Sequence, residues 1–155
     1  MSDILDAQQL KRNILSDMRV KLSEEFDRNF ERKAFFSDKW KRRANPNAKG
    51  TLLMVSDTMR RSIKSEVRGN GVRFSSAVPY ASIHNEGGTG TKAVRAHSRR
   101  GKKGKTHQVK AHSRKFKMPQ RQFIGDGKQT QTIIKNVLDK NLKDFNVQLT
   151  SVLKK

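Results

Sequence analysis

The chain reads as an α+β protein: a small antiparallel sheet flanked by a long N-terminal helix and a C-terminal helix, with a protruding basic β-hairpin arm. Three observations predict this. Residues 4 to 36 carry an apolar stripe at helical spacing, in which Ile14, Met18, Leu22, Phe26 and Phe30 follow one another at four-residue steps. Residues 62 to 78 alternate apolar and polar about Gly69-Asn70-Gly71, the pattern of a hairpin with one buried face. Ile133, Ile134, Val137, Leu138, Leu142, Phe145 and Leu149 then repeat at three- and four-residue spacing.

At 155 residues the chain is expected to be one domain over 1–155, with an N-terminal helix region (1–44), an arm (92–117) and a C-terminal helix (126–155). Apolar residues make up 33% and charged residues 32%, so the core is small. There is no cysteine, which removes disulfides and thiolate metal sites. No apolar run approaches the roughly 18 residues of a membrane span, and Met1 to Asp6 lacks the basic start and apolar run of a signal peptide. The reading is therefore a protein made in the cytoplasm, with no membrane partner. A net charge of +21 favours anionic partners, nucleic acid or acidic protein surfaces alike.

In the first helix Ser2 or Asp3 is expected to cap the start, and Ile4, Leu10 and Leu15 extend the apolar stripe. Phe35, Phe36 and Trp40 precede Lys41-Arg42-Arg43; they read as a helix end anchored in the core beside a solvated charge run. Asn45 to Gly50 is a loop. Ser56 is expected to cap a short helix through Met59 and Arg60. The hairpin follows, its apolar face (Ile63, Val67, Val72, Phe74) meant for the long helix. Tyr80 and Ile83 suggest a helical turn ended by Gly87-Gly88, and Asp126 or Gly127 starts the last helix.

Between Glu86 and Asp126 there is no acidic residue and there are twelve Lys and Arg, so this stretch supplies +12 of the net charge and leaves +9 for the rest. It also repeats itself: Val94-Arg95-Ala96-His97-Ser98-Arg99-Arg100 returns as Val109-Lys110-Ala111-His112-Ser113-Arg114-Lys115. A two-residue turn at Gly104-Lys105 would make the copies a hairpin. Arg99 would then face Lys110, His97 would face His112, and Arg95 would face Arg114, all on one face. Like charges set opposite are destabilising, so such a ribbon suits an arm that meets an anionic partner; a disordered basic loop is the alternative. The contact residues expected are Arg95, His97, Arg99, Arg100, Lys102, Lys103, Lys105, Lys110, His112, Arg114 and Lys115.

No active site is legible. His84, His97, His107 and His112 could suggest a metal, but there is no Cys, the basic stretch offers no Asp or Glu to complete a shell, and cations surround the two in the repeat. Gly101-Lys102-Lys103-Gly104-Lys105 lacks the strand-to-helix context of a phosphate loop. His84 with Glu86 as an acid–base pair is weaker than His84 as a polar link in a turn. No catalytic residue, metal or cofactor is predicted.

Four patches in order carry a resemblance. They are Ser56-Asp57-Thr58-Met59-Arg60-Arg61-Ser62-Ile63, a Gly-containing hairpin, Tyr80-Ala81-Ser82-Ile83-His84-Asn85-Glu86-Gly87-Gly88, and Pro119-Gln120-Arg121-Gln122-Phe123-Ile124-Gly125 before a C-terminal helix. Over roughly residues 50 to 145 the chain resembles the phage virion morphogenesis, or tail completion, family. It departs from it where Asp57 stands for the usual Gly, and Gln120 and Gln122 for Ala and Pro. The motif residues carried over are Tyr80, His84, Gly87, Gly88, Pro119, Arg121, Phe123 and Gly125. The resemblance implies a non-enzymatic structural protein of a tailed phage, acting in tail completion, tail termination or head–tail joining. It implies a ring-forming subunit, often hexameric, built on an antiparallel sheet flanked by helices. Its implied partners are further copies of itself, tail-tube or head-connector proteins, and phage DNA in the channel. Its implied place is the virion tail or neck, after assembly in the host cytoplasm. The arm is expected to grip protein first and DNA second. A basic nucleic-acid-binding protein is the competing class.

Overall fold

The computed structural model describes residues 6–102 and 104–154. Helix α1 (Ala7–Arg32) and helix α4 (Lys128–Leu153) lie against each other and carry the body. The remaining elements are β1 (Ala34–Phe35), β2 (Asp38–Lys39), α2 (Thr58–Ser62), β3 (Ile63–Arg68), β4 (Gly71–Ser76), α3 (Ala81–Glu86), β5 (Gly88–Val94), β6 (His97–Arg100), β7 (Thr106–Val109) and β8 (His112–Met118). The expected α+β class is found. The expected single sheet is not: among the described residues the strands form four separate antiparallel pairs, β1–β2, β3–β4, β5–β8 and β6–β7. With only 33% apolar residues, the chain packs each pair on a helix or extends it into solvent rather than merging them.

α1 begins later and ends earlier than its periodicity suggests. Asp6 is its N-cap, accepting a bond from the Gln8 N–H at 2.7 Å; the expected caps Ser2 and Asp3, and Ile4, lie outside the described residues. It ends because Lys33 turns left-handed (φ 54°), with its N–H donating to the carbonyls of Asn29 and Phe30. Phe35 therefore sits on a strand, and Phe36 takes the tight turn before β2 at φ 54°. The stripe does bury as predicted at Leu15, Leu22, Phe26 and Phe30. The short helix starts one residue late, after Asp57 at φ 52° rather than after Ser56. The predicted hairpin holds: Ser65 pairs with Phe74 and Val67 with Val72, and Phe74 meets Phe26 edge-on at 4.9 Å between ring centres.

Two clusters form the core. Phe30, Trp40, Met59, Ala81 and Phe123 make one, and Leu22, Phe26 and Phe35 the other, with Ile124 touching both. Burying one such aromatic contributes on the order of 2–3 kcal/mol. α4 covers the second cluster with Ile133 and Ile134. Beyond Asn141 its apolar side chains lose cover: Leu142, Val147, Leu149, Val152 and Leu153 are all exposed.

Candidate partner-binding arm and its root

The basic stretch is one long antiparallel ribbon, and it starts earlier than the predicted 92–117. Gly88 already pairs with Met118, and pairing runs to Val94 with His112, then resumes from His97 with Val109 to Arg100 with Thr106. At about 3.3 Å per residue it reaches about 40 Å from its base. The chain reverses through Gly101–Lys105, where the Gly101 N–H donates to the Lys105 carbonyl (2.9 Å) and the Gly104 N–H to the Gly101 carbonyl (3.0 Å). Gly104 takes a positive φ (80°), inside a longer loop than the two-residue turn expected.

The register corrects the prediction, for an electrostatic reason. The expected pairs of Arg99 with Lys110, His97 with His112 and Arg95 with Arg114 do not form. Instead Arg99 faces His107, Arg100 faces Thr106, Lys115 faces Thr91 and Lys117 faces Thr89. Among the described pairs only Lys92 with Arg114 sets Lys or Arg opposite Lys or Arg. The shift of an odd number of residues also changes which side chains share a face. Lys92 and Arg114 lie on one side of the proximal ribbon, Lys115 and Lys117 on the other; distally Arg99 and Arg100 alternate likewise.

The repeat has a local meaning. Strand pairing lapses at Arg95-Ala96 and Lys110-Ala111, the same place in each copy. There the Nδ1–H of His97 donates to the Arg95 carbonyl and that of His112 to the Lys110 carbonyl, each at 2.9 Å. The side chains thus compete for carbonyls that would otherwise serve the ladder. Arg95, His97, Arg99, Arg100, Lys102, Lys105, Lys110, His112, Arg114 and Lys115 are all exposed; Lys103 lies outside the described residues. Among the described residues every ion pair is made by a body cation: Arg12, Lys21, Arg28, Arg32, Arg60 or Lys140. The arm's charge is uncompensated.

The root is built differently. His84 on α3 and Gly87 at its exit meet Gln120 and Arg121. The Arg121 N–H donates to the His84 carbonyl at 2.8 Å. The Asn85 side-chain oxygen accepts from the N–H groups of Phe123 (2.9 Å) and Ile124 (3.1 Å). Gly87 has φ 74°, and a Cβ there would lie 2.8 Å from the Gln120 nitrogen, so glycine is required on both counts. Phe123 is 1% exposed and packs 5.0 Å from Phe30, which meets Trp40 edge-on at 5.7 Å.

Arg121 belongs to this root and not to the surface charge. It is 5% exposed, and its guanidinium donates to the carbonyls of Lys41 (2.9 Å) and Arg42 (3.3 Å). Burial lowers its pKa, and the nearby Arg43 adds to that. The Lys41-Arg42-Arg43 run is thus tied down by its backbone, and Arg43 itself donates to the carbonyls of Ala48, Lys49, Gly50 and Thr51. His84 is not the polar link expected of its side chain. The link is its carbonyl; its buried Nδ1 has no partner among the described residues, and burial, then Arg121, lowers its pKa.

Sequence reasoning missed three residues here. Asn29 is fully buried, donates to the Phe123 carbonyl (3.1 Å) and accepts from the Phe36 N–H (2.8 Å). Its signal was an amide standing inside the apolar stripe between Phe26 and Phe30. Asn85 lay within the Tyr80-to-Gly88 patch but was not singled out. Trp40 was assigned to the core, yet its indole N–H donation to the Gln122 carbonyl (2.6 Å) had no sequence signal.

Body and site define a class of protein: an α+β unit that presents a long cationic ribbon from a buried, fully built root. Within that class, the chain matches the phage virion morphogenesis family over residues 2–143 and belongs to it. It is accordingly a phage protein of virion structure or assembly. No curated protein and no solved structure matches it. Among the described residues, no helix is long and apolar enough to cross a membrane.

Proposed function

We propose that this protein is a non-enzymatic structural subunit that assembles into a ring at the end of the phage tail or at the head–tail junction. There it completes the tail or joins it to the head, against tail-tube or head-connector proteins. Family membership over residues 2–143 is the observation that carries this reading. A further observation supports self-assembly. Leu138, Leu142, Phe145, Leu149 and Val152 follow at four, three, four and three residues, the spacing of a seam that packs on another helix. Leu142, Leu149 and Val152 on that seam are 37–45% exposed. On a +21 chain, a second copy is repelled from most surfaces. Residues 138–153 carry Asp139 and Asp144 against Lys140 and Lys143, so here two copies meet without net repulsion.

Light scattering on the purified protein tests this: a discrete oligomer is expected, and Leu149→Asp with Leu142→Asp should yield monomer. Particles assembled without the protein should show unfinished tails or unjoined heads. A monomer at all concentrations, with intact particles in its absence, overturns the proposal.

A further inference from the structure

We infer that the ribbon of residues 88–118 is a double-stranded DNA clamp, built to lie in the major groove between two phosphate rails. A one-faced array of cations would match a flat acidic protein surface. The ribbon has Lys92 and Arg114 on one side and Lys115 and Lys117 on the other, and Arg99 and Arg100 are separated in the same way. A blade with cations on both faces is matched by a slot with anions on both walls.

The major groove is such a slot. It is about 12 Å wide and admits a two-stranded ribbon, whereas the minor groove, at about 6 Å, does not. The ribbon's composition agrees. Several of its uncharged positions are small or hydroxylic (Thr89, Thr91, Ala93, Ser98, Thr106, Ser113). No acid interrupts residues 87–125, and no arm cation among the described residues is engaged by the body's carboxylates. The pairing lapses at Arg95-Ala96 and Lys110-Ala111, near the middle of the ribbon. The side chains read no sequence here: cations to phosphate position a protein and do not specify bases. This inference does not depend on the ring.

The test measures binding of the full chain to a mixed-sequence 30-base-pair duplex by fluorescence anisotropy across salt concentrations. The wild-type logarithm of affinity should fall steeply with log salt, with each phosphate contact contributing about 0.9 to the slope. Lys92→Gln with Arg114→Gln, and separately Lys115→Gln with Lys117→Gln, should each lower the slope by roughly 2 and the affinity at least tenfold at low salt. Lys39→Gln with Lys135→Gln removes the same charge from the body and should change both far less. The duplex should bind more tightly than a single strand of equal phosphate count. Three results would overturn the inference: an effect from one face only, equal effects from the body variant, or polyglutamate competing as well as duplex. The last would assign the arm to an acidic protein surface. Circular dichroism of each variant separates misfolding from lost contact.

Discussion

The root and the blade of the arm are neighbours in sequence and opposites in physics. In the root, cations point inward and are spent on backbone carbonyls: Arg121 on Lys41 and Arg42, Arg43 on the loop from Ala48 to Thr51. In the blade, cations point outward and, among the described residues, make no ion pair with their own chain. The same residue types therefore serve cohesion in one place and attraction of a partner in the other. Burial and partner count decide which, and charge counting along the sequence does not.

That contrast predicts that root changes cost stability and blade changes cost binding. The largest effect should come from Phe123→Ala, which empties the packing against Phe30 and should destabilise by about 3–5 kcal/mol, read as a lowered chemical-denaturation midpoint. Asn29→Ala should follow at about 1–3 kcal/mol, because it strands the buried Phe123 carbonyl and the Phe36 N–H together. A smaller effect should appear with pH. The folded His84 resists protonation, so the unfolded chain binds more protons as pH falls below the ordinary histidine value of 6.5. Thermal stability should be full above that value and decline below it, and His84→Gln should flatten the decline. Gln substitutions at Arg99, Arg100, Lys102 and Lys105 should change stability least, within about 0.5 kcal/mol, since these side chains hold no contact to lose. A large stability loss there would erase the distinction between the two regions.

Much of the body was legible because its signals are periodic. The four-residue stripe of α1, the alternation about Gly69-Asn70-Gly71 and the spacing in α4 each pointed to the element that forms. Boundaries were less legible: Lys33 and Phe36 adopt positive φ in defiance of residue preference, held by bonds to the end of α1 that sequence does not display. The motif residues were carried over from the family resemblance, and the fold places Gly87, Arg121 and Phe123 together at the root. The arm's register was missed because the internal repeat suggested the shortest turn, while the cost of opposing cations selected a longer one. Asn29 was hidden by its company; a polar residue on a buried stripe announces a specific partner, and only the fold says which.

The pairing of Gly88 with Met118 has an evolutionary consequence. Where the ribbon leaves and rejoins the body, its two ends are adjacent, so the span between them is free to change length. Closing a longer loop costs little, about 0.6 kcal/mol for each doubling. Lengthening by two residues per strand preserves which side chains face which way; one residue per strand keeps the pairing but turns the distal faces over. Reach can thus drift among descendants of this gene in steps of four, while the anchorage that sets its direction stays as it is.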